Sequence, residues 1–158
     1  MDKDQALEEF SRSRTELLES IDGLTEQQMT QQPVEGSWTI KDLLAHLESW
    51  ERTLLTPLAN YTQSGKFTPE VIPDDLVWND QQAENWRMKS LQTVISELHD
   101  TRREILEQVS KLKPAQWEVE LTAPWRGRGS LADLIAGLSW HENEHLESIH
   151  NWIKKNRT

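Results

Sequence analysis

Cysteine is absent from this chain of 158 residues, and the absence excludes two kinds of chemistry. Without a thiol, the protein forms no disulfide bond and offers no thiolate as a nucleophile or metal ligand. Tyrosine and phenylalanine are scarce, with one tyrosine and two phenylalanines. Aromatic packing therefore depends on the eight tryptophans, whose large rings bury much area per residue.

Basic residues are in the minority, with 17 Lys and Arg against 27 Asp and Glu, which gives a net charge of −10. This balance argues against a general affinity for nucleic-acid phosphates or anionic membranes, because both need clustered basic residues. The chain also lacks an apolar run near the ~20 residues that span a membrane, and residues 1–4 do not resemble a signal peptide. We expect a cytoplasmic protein that binds neither nucleic acid nor membrane, built as a single domain over residues 1–158.

Apolar residues recur at intervals of three and four in four segments, which is the spacing of amphipathic helices. These segments cover about 4–22, 39 to a bend at Pro57, 79–112 and 130–155. Arg14 is the one polar interruption of the first stripe, and Asn79 with Gln82 is the predicted N-cap pair of the third helix. The pattern predicts an all-α four-helix bundle with a long crossover loop at 62–78 between helices two and three. Such a loop is either a functional lid or a simple connection.

The two halves of the chain resemble each other in sequence. Residues 24–29 resemble 112–117, and Asp-Leu-Leu-Ala-His-Leu at 42–47 resembles Asp-Leu-Ile-Ala-Gly-Leu at 133–138. The matching order predicts two related helical hairpins, with chance similarity between amphipathic helices as the alternative. Gly137 then stands where the first half has His46, so the halves differ at that position.

The fourth helix carries the sequence Trp-His-Glu-Asn-Glu-His at 140–145. Residues four apart lie on one helical face, so His141 and His145 can bind one metal ion. They continue the apolar stripe, where an imidazole is costly without a partner. His46 lies beside the stripe of helix two and is the predicted third ligand, since catalytic zinc sites usually have three protein ligands. The alternative for each is a core histidine held by a hydrogen bond.

His99 and His150 fall on other helical faces and are expected at the surface. The segment 141–145 also matches the HExxH pattern of zinc peptidases. The downstream glycine and third histidine of the metzincin pattern are missing, so we do not predict a peptidase. Glu142 is nevertheless the candidate catalytic base toward metal-bound water, with a solvated glutamate as the alternative.

Four further side chains near these histidines are candidate substrate-binding residues. Trp50 follows His46 by one helical turn and Trp140 precedes His141, so either can wall a pocket or belong to the core. Arg126 and Arg128 lie in a flexible turn before helix four and are the best local anion binders in an acidic chain. A solvated loop is the alternative for these two arginines.

The chain resembles a known family through several motifs in a fixed order. Ser-Trp-Thr-Ile-Lys-Asp-Leu-Leu-Ala-His-Leu-Glu-Ser-Trp-Glu at 37–51, followed by His141 and His145, resembles the DinB-like superfamily. Val-Trp-Asn at 77–79 and Trp-Arg-Gly-Arg at 125–128 resemble its ClbS/DfsB branch. The resemblance covers essentially the whole chain.

This resemblance implies a four-helix bundle, often a homodimer, with a divalent metal such as zinc or nickel on His46, His141 and His145. It also makes Asn79, in the matching 77–79 motif, a candidate substrate-binding residue. Members of the superfamily include metal-dependent thiol transferases, isomerases and hydrolases that protect against reactive small molecules. The ClbS-type hydrolase departs from the three-histidine pattern, whereas this chain keeps all three.

The leading hypothesis is therefore a metal-dependent hydrolase or thiol transferase acting on a small molecule, in detoxification or stress protection. One alternative is a non-catalytic bundle whose tryptophans line a cavity that binds or sequesters a ligand. Another is a purely structural helical protein in which the histidines have no remaining use.

Overall fold

A computed structural model describes residues 1–156, and in this range the chain forms seven α-helices. The helices are α1 (Lys3–Ile21), α2 (Glu26–Gln31), α3 (Ile40–Arg52), α4 (Leu55–Ser64), α5 (Asp75–Trp86), α6 (Leu91–Ser110) and α7 (Leu131–Asn156). Two short antiparallel hairpins precede α3 and α7, namely β1 (Pro33–Glu35) with β2 (Trp38–Thr39), and β3 (Leu121–Thr122) with β4 (Arg128–Gly129). A 3₁₀ turn over Pro114–Trp117 follows α6.

Four of these helices form the bundle, which confirms the predicted fold class. α1 packs mainly against α7, and α3 packs against α6 and also contacts α7. Two groups of buried side chains fill the interior, one including Phe10 and Ile105 and the other including Leu17 and Leu98. None of the helices within residues 1–156 combines the length and apolar character that crossing a membrane requires.

The predicted second helix is broken where proline chemistry requires it. α3 ends at Arg52 and α4 begins at Leu55, with Pro57 in the first turn of α4. A proline ring clashes with the carbonyl of the residue four positions earlier, which here is Thr53. The expected interruption is therefore present, and it lies just before Pro57 rather than at it.

The predicted crossover loop at 62–78 is too long, and the predicted third helix is two helices. The irregular segment covers only 65–74, after which Asp74 caps α5 by accepting from Leu76 N and Val77 N. Ser90 caps α6 by accepting from Thr93 N. The N-cap assignment of Asn79 is therefore wrong, because Asn79 lies inside α5. This helix buries only Trp86, so it shows no apolar stripe to the sequence pattern.

Both halves of the chain run through the same series of local structures, in agreement with the two-hairpin interpretation. α3 and α7 each begin after a β-hairpin, and in each a hydroxyl accepts from the backbone N–H of an aspartate three residues on, whose carboxylate accepts from the N–H of the hydroxyl-bearing residue. The two pairs are Thr39 with Asp42 and Ser130 with Asp133. This reciprocal capping fixes where both helices start, and so it fixes the helical phase of the histidines that follow.

Candidate metal centre

The three predicted ligands meet between α3 and α7 in what we call the histidine cluster (His46, His141 and His145). Nε2 of His141 lies 2.9 Å from Nε2 of His46 and 3.1 Å from Nε2 of His145. The three candidate ligand atoms all lie within 4.8 Å of one another. A tetrahedral zinc ion with bonds of about 2.0–2.1 Å holds two nitrogens about 3.3 Å apart. The separations of 2.9 and 3.1 Å lie near this value, and imidazole nitrogens are donors that divalent ions such as zinc take.

His145 has a partner that the sequence did not reveal. Its Nδ1 lies 2.8 Å from Oε1 of Glu35 on β1. A carboxylate accepts from Nδ1–H, and this leaves the Nε2 lone pair of His145 facing the other two imidazoles. A carboxylate that orients a histidine in this way is a common companion of metal sites. No motif in the sequence points to Glu35, because it reaches the cluster through a hairpin whose strand β1 has only three residues.

Burial keeps two of the imidazoles neutral. It is the main cause that lowers the pKa of His46 to about 3 and that of His141 to about 4, from an ordinary value of 6.5. The neighbouring histidines lower both values further. Trp38 also packs on His46, with ring centroids 4.8 Å apart. At neutral pH these two imidazoles are therefore uncharged, and each has one ring nitrogen with a lone pair to offer a cation.

Glu142 points away from the histidine cluster, although it follows His141 in the chain. Its side chain is buried, and its carboxylate accepts from Ser13 Oγ at 2.8 Å and from Arg14 Nε at 3.0 Å. Successive helical residues are turned by about 100°, which directs Glu142 toward α1. The solvated alternative is therefore wrong, and the predicted catalytic base is held in an ion pair instead.

This ion pair belongs to a buried arginine–glutamate network (Arg14, Glu51, Arg102 and Glu142). Arg14 bridges Glu142 and Glu51, and Arg102 donates to Glu51 through Nε at 2.7 Å and also through Nη2. The remaining donors reach backbone carbonyls, with Arg14 bonding Leu98 O and Arg102 bonding Phe10 O. The polar interruption at Arg14 is thus one member of a network that connects four helices.

A cavity of about 320 Å³ opens beside the histidine cluster. His46 and His141 form one side of it, and the other lining residues are Trp50, Asp75, Asn79, Trp125, Gly137, Leu138 and Trp140. The structure thus brings together three of the predicted substrate-binding residues, Trp50, Asn79 and Trp140. Trp50 Nε1 donates to Asn79 Oδ1 at 2.9 Å, which ties α5 to α3 at the cavity wall.

The two arginines predicted as anion binders have other partners. Arg126 donates to Ile72 O and to Asp75, and Arg128 donates to Glu120 at 2.7 Å. Neither lines the cavity. Arg126 has a φ of 77°, a backbone conformation uncommon outside glycine, and its side chain ties the β3–β4 turn to the start of α5. Arg126 therefore supports the cavity wall from outside, through its contact with the cavity-lining Asp75.

The remaining two histidines lie at the surface, as expected. His99 is exposed, and His150 is exposed with its Nε2 2.6 Å from Ser20 Oγ. A larger cleft of about 590 Å³ lies between α4, the 65–74 segment and α5. No histidine lines it, so the smaller cavity beside the histidine cluster is the stronger candidate for a reaction site.

Comparison with known proteins gives a match over most of the chain. Residues 9–149 match the DinB superfamily, whereas none of the curated proteins matches the sequence. Among solved structures, DfsB, described as a sibling lethal factor precursor, is 16% identical with a TM-score of 0.78 and coverage of 100% of this chain and 98% of that chain. The colibactin self-resistance protein ClbS, solved in complex with double-stranded DNA, is 11% identical with a TM-score of 0.77 and coverage of 99% and 97%.

A third solved structure has a description that concerns chemistry. YfiT from Bacillus subtilis, described as a probable metal-dependent hydrolase with an unusual four-helix bundle topology, is 14% identical with a TM-score of 0.71. The alignment covers 97% of this chain and 86% of YfiT. At these identities the three likenesses establish a shared fold.

Proposed function

Because the chain belongs to the DinB superfamily, we propose that it is a metal-dependent enzyme acting on a small molecule. His46, His141 and His145 hold one divalent ion in this proposal. The observation that carries it is the convergence of three Nε2 atoms from two helices, with neighbouring separations of 2.9 and 3.1 Å. Imidazole suits zinc and nickel among the available divalent metals.

The donor set determines what the site can do. Three neutral imidazoles bring no negative charge, and Glu35 supplies a single carboxylate beyond them, so the region around a divalent ion stays positive. Such an ion acts as a Lewis acid and lowers the pKa of a water or thiol bound to it. The chain's own part is to fix the three nitrogens, and Glu35 does so for His145.

Hydrolase and thiol-transferase chemistry both remain within this proposal. The description of YfiT as a probable metal-dependent hydrolase favours the first. Glu142 is not assigned a role in either, because its carboxylate is bound to Ser13 and Arg14. With a net charge of −10, we keep the prediction that nucleic acid is not a partner. A cytoplasmic homodimer built from one domain also stays a prediction.

Metal analysis of untagged protein tests the proposal directly. After equilibration with zinc or nickel and removal of free ions, wild-type protein is expected to carry about one ion per chain. The variant His141→Ala/His145→Ala should lose it, while the matched control His150→Ala, which changes an exposed histidine, should keep it. Equal metal content in wild type and the double variant would refute the proposal.

A non-catalytic binding protein is the second candidate function, and the tryptophan-lined cavity favours it. Under this alternative, a ligand binds equally well with and without a chelator and leaves the protein unchanged. Under the first proposal, the chelator abolishes turnover of that ligand. Product analysis by chromatography, with and without chelator, separates the two.

A further inference from the structure

The cavity beside the histidine cluster is walled mainly by indole rings. Trp50 and Trp125 meet nearly edge to face, with ring centroids 6.4 Å apart, and Trp78 packs behind Trp50 at 4.3 Å. Trp140 lies at the rim and is 64% exposed. Aromatic rings contact one another favourably at centroid distances of about 4.5–7 Å in edge-to-face or offset geometry. The walls therefore match a flat aromatic group better than a branched or flexible one.

Gly137 lines the same cavity from the interior of α7. Glycine in a helix interior is unfavourable relative to alanine, so its presence there needs a reason. A Cβ at this position would meet only Trp125, at 3.6 Å from Cζ2 and 3.9 Å from Nε1, which is ordinary contact. Packing between helices therefore does not require the glycine. The missing side chain of Gly137 leaves open space against the helix backbone, next to Trp125.

The charge of the cavity wall restricts the ligand further. Among the described residues, neither lysine nor arginine lines the cavity, and Asp75 is the one carboxylate there. Asp75 is paired with Arg126, which lies outside the lining. A ligand with a negative charge on its ring would therefore find no cationic side chain to pair with. A positive charge, by contrast, is attracted by indole faces.

We propose that this cavity is a slot for a planar aromatic group that is neutral or cationic, and that Gly137 sets its width. The proposal rests on the proposed function in one respect, because the reacting group of the ligand would face His46 and His141. It narrows the substrate class to aromatic compounds.

Calorimetric titration of metal-free protein at pH 7.5 tests the slot without involving the metal. The probes share one ring system and differ in charge: 2-naphthalenemethanol is neutral, 2-naphthylmethylamine is cationic and 2-naphthoate is anionic. The neutral and cationic probes are expected to bind roughly tenfold more tightly than 2-naphthoate, which corresponds to about 1.4 kcal/mol.

Two variants and one control locate the binding. Gly137→Leu should fill the slot and weaken binding of the neutral probe at least about tenfold, and Trp140→Ala should weaken it about two- to tenfold. Trp140 is exposed, so this second variant keeps the test informative even where Gly137→Leu folds poorly. Trp117→Phe, which changes a buried indole outside the cavity, should leave binding unchanged.

The outcomes separate this inference from the metal proposal. Equal affinity for all three probes, or unchanged binding in a folded Gly137→Leu protein, would overturn the slot. So would an absence of probe binding in protein that still takes up one metal ion. Probe binding with the expected charge order, in protein that fails to take up metal, would support the slot and refute only the metal-dependent function.

Discussion

The arginine–glutamate network and the histidine cluster lie on different faces of α7, since His141 and Glu142 are neighbours in the chain. The network combines two positive and two negative side chains, and these bond one another and two backbone carbonyls. The histidine cluster combines three side chains of the same kind, and within residues 1–156 Glu35 is its one acidic hydrogen-bond partner. The charges of the network are paired with one another, whereas the histidine cluster gathers three nitrogen donors of the kind that bind a cation.

The internal repeat gives this contrast a second meaning. Arg14 donates to Leu98 O, and Arg102 donates to Phe10 O. Aligning the matching segments of the two halves pairs Arg14 with Arg102 and Phe10 with Leu98, so these two contacts are equivalent. The network thus follows the symmetry of the fold. The histidine cluster breaks it, because His46 in the first half corresponds to Gly137 in the second. The part that the halves share holds the bundle together, and the part where they differ forms the candidate site.

Removing one member of the network is expected to have the largest effect on stability. Arg102→Ala leaves Glu51 buried with one partner fewer, and breaking a buried ion pair typically lowers the free energy of unfolding by about 3–5 kcal/mol. Urea denaturation followed by circular dichroism measures the change. The control Arg103→Ala, at an exposed arginine paired with Asp100, should change it by less than about 0.5 kcal/mol. Similar losses in both variants would show that the network has no special structural role.

Weakening the one acidic partner of the histidine cluster is expected to act on metal binding instead. Glu35→Gln removes the charge that orients His145, and such changes typically cost about 10–100-fold in metal affinity, or about 1.4–2.7 kcal/mol. Competition with a zinc-binding dye measures the affinity. Glu26→Gln, at an exposed glutamate in α2, is the control. An affinity of Glu35→Gln within twofold of wild type would mean that the carboxylate does not support the site.

The two groups also differ in how far the sequence could predict them. The spacing of His141 and His145 lies within one helix, so helical periodicity alone placed them together. His46 required only that α3 face α7, which its apolar stripe indicated. The network was visible only as an interruption at Arg14, because its other members come from three separate helices. Their pairing depends on long-range packing that no local pattern encodes.

The remaining errors also follow from the absence of a local pattern. Glu35 lies on a three-residue strand, which is too short to show a period, and it reaches His145 only after the hairpin folds back. The sequence predicts loop at the start of α5, because an amphipathic stripe is missing from a helix that buries one residue. Glu142 matched the HExxH pattern in sequence, but the pattern does not say which way the helix faces.

Acid should lower the free energy of unfolding of the metal-free protein, because of the histidine cluster. The pKa values of His46 and His141 are lowered to about 3 and about 4 in the fold, whereas an unfolded chain has the ordinary value near 6.5. As the pH falls below about 6.5, the unfolded chain binds protons first, so the contribution of these two groups to the free energy of unfolding decreases until about pH 3 and is constant above about pH 7.

Thermal melts in EDTA between pH 7 and 5 check this expectation. Wild type should lose more stability over that range than the variant His46→Leu/His141→Leu, in which the two groups with lowered pKa are gone. Both proteins keep the arginine–glutamate network, so its contribution cancels in the comparison. Equal losses in the two proteins would show that the buried imidazoles do not set the pH dependence.

The smallest expected effect concerns the glycine that faces the cavity beside the histidine cluster. Gly137→Ala should raise the free energy of unfolding by about 0.5–1 kcal/mol, because alanine is favoured in a helix interior and its Cβ meets only ordinary contacts. Gly129→Ala is the matched control with the opposite sign, since a Cβ there would lie 2.7 Å from Asp133 Cβ. Denaturant unfolding measures both. Destabilisation by Gly137→Ala would mean that packing requires the glycine, and the open slot would then be a consequence of the fold rather than a feature kept at the expense of stability.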